Sequence, residues 1–123
     1  MLKQGFKQLL AEANALIETV SVQDLDFVLD DDETLLIDVR ETVEREADGS
    51  IPGSVHVPRG LLEFQVDPES PGFNPALRPE CRLIVYCGTG GRSALAAKTL
   101  LEMGFSSVAS LAGGYAAWRV ARG

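Results

Sequence analysis

Apolar positions along this chain recur in two patterns that alternate from one end to the other. Spacing of three or four residues predicts helices, the first an amphipathic N-terminal helix at 1–20 and the others at 22–29, 40–46 and 93–103. Continuous apolar runs, which are typical of strands buried on both faces, lie at 34–39, 83–86 and 107–111. The chain therefore alternates between helices and strands.

The remaining segments are short or are interrupted by glycine and proline. Residues 54–58 form a short strand, and the proline-rich stretch 59–79 is an irregular connection with one helical turn. Gly104 ends the preceding helix, and residues 113–118 turn into a final short helix. The whole pattern predicts an α/β, three-layer fold, in which a central, mainly parallel sheet carries helices on both faces.

Length and charge restrict the partners of the chain. Its 123 residues are about one domain, and 18 acidic against 11 basic residues give a net charge of −7, which argues against a nucleic-acid partner. The acidic run 30–33 is interpreted as a solvated turn. No apolar run is long enough to cross a bilayer, and Glu12 and Asn14 interrupt the stretch that would be apolar in a signal peptide. We therefore expect no membrane partner and a cytoplasmic location.

The two cysteines, Cys81 and Cys87, are separated by one predicted strand. At about 3.3 Å per residue the strand holds them roughly 20 Å apart, whereas a disulfide needs Cα atoms within about 7 Å. The chain has a single histidine, His56, so a four-ligand zinc site is implausible. Each cysteine is therefore a separate thiol, and the sequence implies no metal or organic cofactor.

Residues 87–93, Cys-Gly-Thr-Gly-Gly-Arg-Ser, lie between a buried strand and a helix, where open parallel sheets place their ligand sites. Three glycines let successive backbone N–H groups turn inward as an anion-binding nest, and the helix adds its positive end. This field would stabilise a Cys87 thiolate, and Arg92 adds a charge that does not titrate. The segment predicts a nucleophilic cysteine in an anion-binding loop.

Other assignments for the reactive residue types are weaker. The loop lacks the Gly-Lys-Ser/Thr ending of a P-loop and the second cysteine of a Cys-x-x-Cys redox site. Cys81 lies at a strand start without a glycine nest and is expected to be inert. His56, on a short apolar strand, is expected to be structural, and Tyr115 and Trp118 are expected in the core.

Four motifs, in order along the chain, resemble those of the rhodanese-like sulfurtransferases. They are Leu-Ile-Asp-Val-Arg-Glu at 36–41, Gly-Ser-Ile-Pro-Gly-Ser at 49–54, Cys-x-x-Gly-x-Arg at 87–92 and Gly-Gly-Tyr-Ala-Ala-Trp at 113–118. The resemblance runs from about Ser21 to Trp118. It implies a rhodanese-like domain at 21–123 that follows the N-terminal helix.

This resemblance implies that Cys87 is the catalytic residue, which takes a sulfane sulfur from a small donor such as thiosulfate and passes it to a thiol or cyanide acceptor. Arg92 would favour the departing sulfite, and Asp38 and Arg40 would brace the loops from below. A protein that accepts sulfur is a further partner that this resemblance allows. The implied substrate-binding residues are the rest of the loop, Gly88, Thr89, Gly90, Gly91, Arg92 and Ser93.

The sequence departs from the family pattern at several positions. Ser50 replaces the usual histidine of the second motif, and Gly88 and Gly91 stand where many thiosulfate-using relatives carry basic residues. The opening Cys-Gly-Thr-Gly resembles that of mercaptopyruvate sulfurtransferases, whereas Arg92 closes the loop as in the thiosulfate type. We expect thiosulfate or a related persulfide donor.

Two other classes of function remain open. A phosphatase or arsenate reductase would use a similar loop, but such enzymes place five residues between cysteine and arginine, whereas Cys87 and Arg92 enclose four. A non-enzymatic module would instead relay a persulfide to a partner, or dock on it, in cofactor or RNA sulfur transfer. The N-terminal helix and the segment 59–79 favour this hypothesis, because both are additions to a minimal domain of this family.

Overall fold

A five-stranded parallel sheet forms the middle layer of the protein in a computed structural model that describes all 123 residues. The strands in chain order are β1 (Glu18–Val20), β2 (Thr34–Asp38), β3 (Val55–His56), β4 (Arg82–Tyr86) and β5 (Val108–Leu111). They lie in the spatial order β1-β5-β4-β2-β3, and each neighbouring pair is parallel.

Helices cover both faces of this sheet. They are α1 (Phe6–Leu16), α2 (Leu25–Leu29), α3 (Thr42–Asp48), α4 (Leu62–Val66), α5 (Gly91–Met103) and α6 (Gly114–Arg122), with a 3-10 turn at Arg59–Leu61 before α4. Buried residues of α1, α4 and α5 join one apolar cluster, and those of α2 and α6 join a second cluster on the opposite face. The predicted three-layer α/β fold is confirmed. None of the helices has the length and apolarity that crossing a bilayer requires.

Strand β4 decides on which face the loop cysteine lies. Successive side chains of a strand point to opposite faces, so Leu83 and Val85 enter one cluster while Ile84 and Tyr86 enter the other. All four are fully buried, as expected for the middle strand of a covered sheet. Cys87 follows with the same alternation and joins the face that α1 and α5 cover.

The N-terminal helix is shorter than the predicted 1–20. It ends at Leu16, because Ile17 takes extended backbone (φ −97°, ψ 158°) and Glu18–Val20 pairs with β5 at the edge of the sheet. Val20 fits the helical spacing in sequence, yet it is buried on the opposite face of the sheet from Ala13. Pairing with β5 therefore overrides the local helical pattern.

The other elements differ from the predictions mainly at their ends. Gly104 ends α5 in the left-handed conformation (φ 113°), as predicted. The predicted helix 22–29 contracts to α2, and the predicted strand 54–58 to the two residues of β3. In three places a helix is shifted or extended relative to its prediction: Thr42–Asp48, Gly91–Met103 and Gly114–Arg122.

The carboxylate of Asp38, at the end of β2, is fully buried and accepts five hydrogen bonds. Arg40 supplies three of them, from its backbone N–H, Nε and Nη2, at 2.9, 3.1 and 3.0 Å. Arg45 Nη1 and the Tyr86 hydroxyl supply the others at 2.8 and 2.9 Å. Burial alone would raise the pKa of this carboxyl, but these hydrogen bonds outweigh it and hold the pKa below its ordinary value.

The same buried ion pair extends to two further parts of the chain. Arg40 Nη2 donates to the carbonyl of Gly49 at 2.7 Å, and its guanidinium carbon lies 4.3 Å from the centre of the Tyr115 ring. The Asp38–Arg40 pair therefore connects β2, β4 and α3 with the turn at Gly49 and the start of α6. The bracing role that the resemblance implies for Asp38 and Arg40 stays a prediction, and these contacts are consistent with it.

Replacing Asp38→Asn is expected to lower the free energy of unfolding by about 3 kcal/mol, because Arg40 would remain buried without its counter-charge. Urea denaturation at pH 7 measures this change. Glu46→Gln removes an exposed carboxylate on α3 and is the control, with an expected change within about 0.5 kcal/mol. A loss below about 1 kcal/mol for Asp38→Asn would contradict the assigned role.

The destabilisation should also depend on pH. Because folding lowers the pKa of Asp38, its stabilising contribution is present above the ordinary carboxyl pKa of about 4 and is lost as the pH falls through the lowered value. The difference between wild type and Asp38→Asn is therefore expected to be constant from about pH 7 to pH 5 and to shrink below about pH 4.

Candidate active site

Cys87 lies directly after β4 and is 1% exposed. Its Sγ accepts hydrogen bonds from the backbone N–H groups of Gly90 and Ser93 at 3.1 and 3.4 Å, and it lies 3.5 Å from the Ser93 hydroxyl oxygen. Two amide donors and one hydroxyl of the predicted loop therefore converge on the sulfur. Two amides of the predicted nest therefore face the Cys87 thiol, and the anion-binding role of the loop stays a prediction.

These contacts change the acidity of the thiol. Burial alone would raise the pKa of Cys87, because it disfavours the charged form. Hydrogen bonds from the Ser93 hydroxyl and from the amides of Ser93, Gly90 and Thr89 outweigh burial, so the pKa lies below the ordinary value of a thiol. The loop therefore favours the thiolate, which is the nucleophilic form of cysteine.

The loop reaches this shape through a left-handed glycine at the start of α5. Gly90 has φ 116° and is the N-cap of α5, so the first turn of that helix begins directly beside the sulfur. Most other residue types avoid this conformation, which explains why glycine occupies the position. The N-terminus of α5 carries partial positive charge and adds to the stabilisation of a thiolate at Cys87.

The start of α6 holds the loop from its other side. The backbone N–H groups of Tyr115 and Ala116 donate to the carbonyls of Cys87 and Gly88 at 2.8 and 3.0 Å. A Cβ at Gly114, whose φ is 60°, would lie 2.6 Å from the Cys87 carbonyl oxygen. The approach of the two backbones therefore requires glycine at position 114.

Two buried hydroxyls lie behind the sulfur. Ser93 Oγ is 2.8 Å from Ser110 Oγ on β5, and it also donates to the carbonyl of Gly90 at 3.2 Å. Both serines are buried. When Cys87 is ionised, the single Ser93 hydroxyl hydrogen can turn from the Gly90 carbonyl to Sγ while Ser93 Oγ accepts from Ser110, so β5 orients the group that stabilises the thiolate.

Arg92 lies at the mouth of the loop, in an ion pair with α3. Its Nη1 and Nη2 each donate to one carboxylate oxygen of Glu44, both at 2.8 Å. The side chains of Arg92 and Glu44 are 44% and 30% exposed. The guanidinium lowers the pKa of Glu44 to about 2, and the carboxylate in turn raises the pKa of Arg92. The family resemblance implies that the positive charge of Arg92 favours a departing anion. In the structure, Glu44 already compensates that charge.

The structure keeps the other reactive residue types away from the sulfur. Cys81 is buried and accepts a hydrogen bond from Arg78 Nη2 at 3.0 Å. His56 Nε2 lies 2.7 Å from the backbone carbonyl of Arg40, a structural contact. No cluster of three His, Cys, Asp or Glu side chains has metal-ligating geometry.

A cleft of about 310 Å³ borders the outer side of the loop. It is lined by Leu10 and Asn14 of α1, by Thr89 and Gly90 of the loop, and by Ser110. The N-terminal helix therefore forms one wall of a space that a small molecule or an acceptor group could enter next to the loop.

Sequence reasoning missed four contributors to the site. Glu44 and Ser110 had no distinguishing motif, although Glu44 completes a capping box in which its side chain accepts from the N–H of Glu41 at 2.7 Å. That box was a readable signal for a helix start but not for a partner of the loop. Gly114 and Tyr115 belong to the closing motif at 113–118, whose spacing does not indicate that their backbones contact the loop directly.

Known proteins are similar to this chain over most of its length. The family model described as "Rhodanese-like domain" matches residues 21–121. Mouse thiosulfate sulfurtransferase/rhodanese-like domain-containing protein 3 is 31% identical over 122 residues, which cover 93% of this chain and 78% of that protein. Human thiosulfate:glutathione sulfurtransferase is 31% identical over 107 residues, which cover 81% of this chain and 91% of that protein.

A solved structure is also similar over the full length. It is a protein of unknown function from Rhodopseudomonas palustris, described as a possible tyrosine phosphatase. The two chains are 42% identical and superpose with a TM-score of 0.94, covering 100% of this chain and 95% of that one.

Replacing Ser93→Ala is expected to raise the pKa of Cys87, because one donor to the thiolate is lost. The pH dependence of alkylation by iodoacetamide, measured in a Cys81→Ser background with a single thiol, reports this shift. Its midpoint should move to higher pH. Ser106→Ala removes an exposed hydroxyl and should leave the midpoint unchanged; an unchanged midpoint in Ser93→Ala as well would refute the assigned contact.

Replacing Gly114→Ala is expected to displace the loop, because the new Cβ would lie within 2.8 Å of three backbone atoms of Cys87 and Gly88. Backbone strain of this kind costs about 1–3 kcal/mol. The free energy of unfolding, measured by urea denaturation, and the alkylation rate of Cys87 should both change. Gly60→Ala is the matched control, since a Cβ there meets no atom within 4 Å.

Proposed function

Because this chain belongs to the rhodanese-like domain family of sulfurtransferases, we propose that it transfers a sulfane sulfur through a persulfide on Cys87. The observation that carries this proposal is the convergence of the Gly90 and Ser93 amides and the Ser93 hydroxyl on Cys87 Sγ. The family match at 21–121 supports a sulfurtransferase domain at 21–123, with the N-terminal helix beside its loop.

The loop suits both halves of such a reaction. In the first half, the Cys87 thiolate attacks the outer sulfur of the donor, a new sulfur–sulfur bond forms, and the donor's remaining anion departs with the electrons of the old bond. In the second half, an acceptor thiolate or cyanide attacks the outer sulfur and Cys87 leaves as a thiolate. A lowered pKa makes Cys87 a ready nucleophile and a good leaving group.

The anions of this cycle would be stabilised mainly by backbone N–H groups. Those of Gly90 and Ser93 point to the sulfur in the resting loop, and the N-terminus of α5 lies behind them. We propose thiosulfate or a related sulfane-sulfur compound as the donor, and a small thiol, cyanide or a protein thiol as the acceptor. The human relative named for thiosulfate and glutathione supports this choice.

A phosphatase is the second candidate, because the similar protein from Rhodopseudomonas palustris is described in that way. Phosphate-ester hydrolysis would require Arg92 to close on the bound phosphate. In this structure both Nη atoms of Arg92 are bound to Glu44, which lies on α3. The loop between Cys87 and Arg92 is also one residue shorter than that chemistry uses. We therefore favour sulfur transfer.

Incubation of the reduced protein with thiosulfate is expected to add about 32 Da, the mass of one sulfur atom, because Cys87 forms a persulfide. Intact mass spectrometry measures the change. Cys87→Ser should show no addition, while Cys81→Ser should behave as wild type because Cys81 lies outside the loop.

The same variants separate the two candidate functions. Absence of the added mass with thiosulfate, mercaptopyruvate and polysulfide would contradict the proposal. Cys87-dependent hydrolysis of an aryl phosphate, abolished in Cys87→Ser and retained in Cys81→Ser, would favour the phosphatase instead.

A further inference from the structure

The mouth of the loop carries an unusual balance of charge for a site that receives anions. Arg92 is the only charged side chain among residues 87–93, and its guanidinium is bound through two hydrogen bonds to Glu44. Glu41, at the start of the same helix, also acts electrostatically on Arg92. Glu44 therefore neutralises the one charged side chain of the loop, which leaves residues 87–93 without an uncompensated cationic side chain.

The other arginines near the loop are hydrogen-bonded to groups outside residues 87–93. Arg40 and Arg45 are both bound to the buried carboxylate of Asp38. Arg59 pairs with Glu63 at 3.0 Å. Arg119 donates to the carbonyl of Asp48. The groups of the loop that remain free to attract a donor are therefore backbone N–H groups and the N-terminus of α5.

Glu44 holds the Arg92 guanidinium in one position through two hydrogen bonds. Arg92 Nη2 lies 3.4 Å from the point where a Cβ of Gly88 would be, so the guanidinium lies against the first residue of the loop after Cys87. From there it is close enough to contribute to anion binding. Instead, both of its Nη atoms are engaged by Glu44, which also accepts from the Glu41 N–H and is therefore fixed in place.

We propose that Glu44 is a specificity-determining residue that disfavours doubly charged donors, so that the site prefers a singly charged organic sulfane-sulfur donor over thiosulfate. This inference rests on the proposed function, whose donor class it narrows. With thiosulfate, a dianion approaches the thiolate and sulfite leaves with two charges. With an organic thiosulfonate, R–SO₂–S⁻, one charge approaches and the sulfinate R–SO₂⁻ leaves with one.

Both reactions make and break the same bonds. The Cys87 thiolate attacks the outer sulfur, the new bond to Sγ forms, and the old sulfur–sulfur bond breaks with its electron pair remaining on the departing sulfite or sulfinate. The products are the Cys87 persulfide anion and that leaving group, and no proton or further reactant is needed. The two donors therefore differ mainly in the charge that Glu44 and Arg92 face.

The test compares thiosulfate with methanethiosulfonate, which carries one charge fewer, in wild type and Glu44→Gln. Glutamine keeps one oxygen, which can accept from the Glu41 N–H and from one Nη of Arg92, so the capping box is retained while the second Arg92 hydrogen bond is lost. Removing the charge is expected to raise kcat/KM about fivefold for thiosulfate and only about twofold for methanethiosulfonate, because the interaction energy with Glu44 is proportional to the donor's charge. The gain for thiosulfate should shrink when salt is raised from about 0.05 to 0.5 M.

Glu46→Gln is the matched control, because it removes the same charge from an exposed position on α3 and should leave both donors unchanged within about 1.5-fold. An equal fold-change in kcat/KM for both donors in Glu44→Gln would overturn the proposal, because a merely structural role of Glu44 would affect both donors alike. An unchanged or lowered kcat/KM for thiosulfate would also overturn it.

Binding without turnover separates this inference from the proposed function. In a Cys87→Ser background the donor cannot react, and thiosulfate binding is followed through NMR shifts of the amides of residues 88–93. Adding Glu44→Gln is expected to tighten binding about fivefold; equal affinity would overturn the role of Glu44. Absence of turnover with every donor in every variant would refute sulfur transfer itself, while the binding comparison would still decide what Glu44 does.

Discussion

A buried ion pair between Asp38 and Arg40 fixes the carboxyl edge of the sheet. Both side chains are almost fully buried, so their charges would be costly without each other and without the hydrogen bonds that surround them. Those bonds reach Tyr86 on β4, Arg45 on α3 and the turn at Gly49. Because each partner belongs to a different element, the pair holds the segments around the loop in one arrangement.

Two sets of contacts connect the Asp38–Arg40 pair to the loop. One passes through Tyr115, whose ring lies over Arg40 while its backbone N–H donates to the Cys87 carbonyl. The other passes through α3, which Arg45 connects to Asp38 and from which Glu44 binds Arg92. A network remote from the sulfur therefore sets both the inner geometry of the loop and the charge at its mouth.

Within the loop, the backbone supplies most of the electrostatics. Amide groups of Gly90 and Ser93 face the sulfur, and the start of α5 reinforces them. Backbone dipoles are fixed by the fold and need no reorientation when charge develops on Cys87 or its persulfide. Side-chain charge is confined to the mouth, where Arg92 and Glu44 largely cancel. In the proposed reaction, this division would separate activation of the cysteine from selection of the donor's charge.

The sequence by itself determined the order of elements, the parallel sheet and the position of the loop, because apolar periodicity and glycine placement are local properties of the chain. Cys87 was identifiable since the residues that form its nest follow it directly. Only the tertiary structure decided that 18–20 joins the sheet edge, because that depends on pairing with Val108–Leu111. The same holds for Glu44 with Arg92 and Ser110 with Ser93, which lie 48 and 17 residues apart. Such contacts depend on how α3 and β5 pack around the loop. The spacing of residues within one segment does not predict that packing.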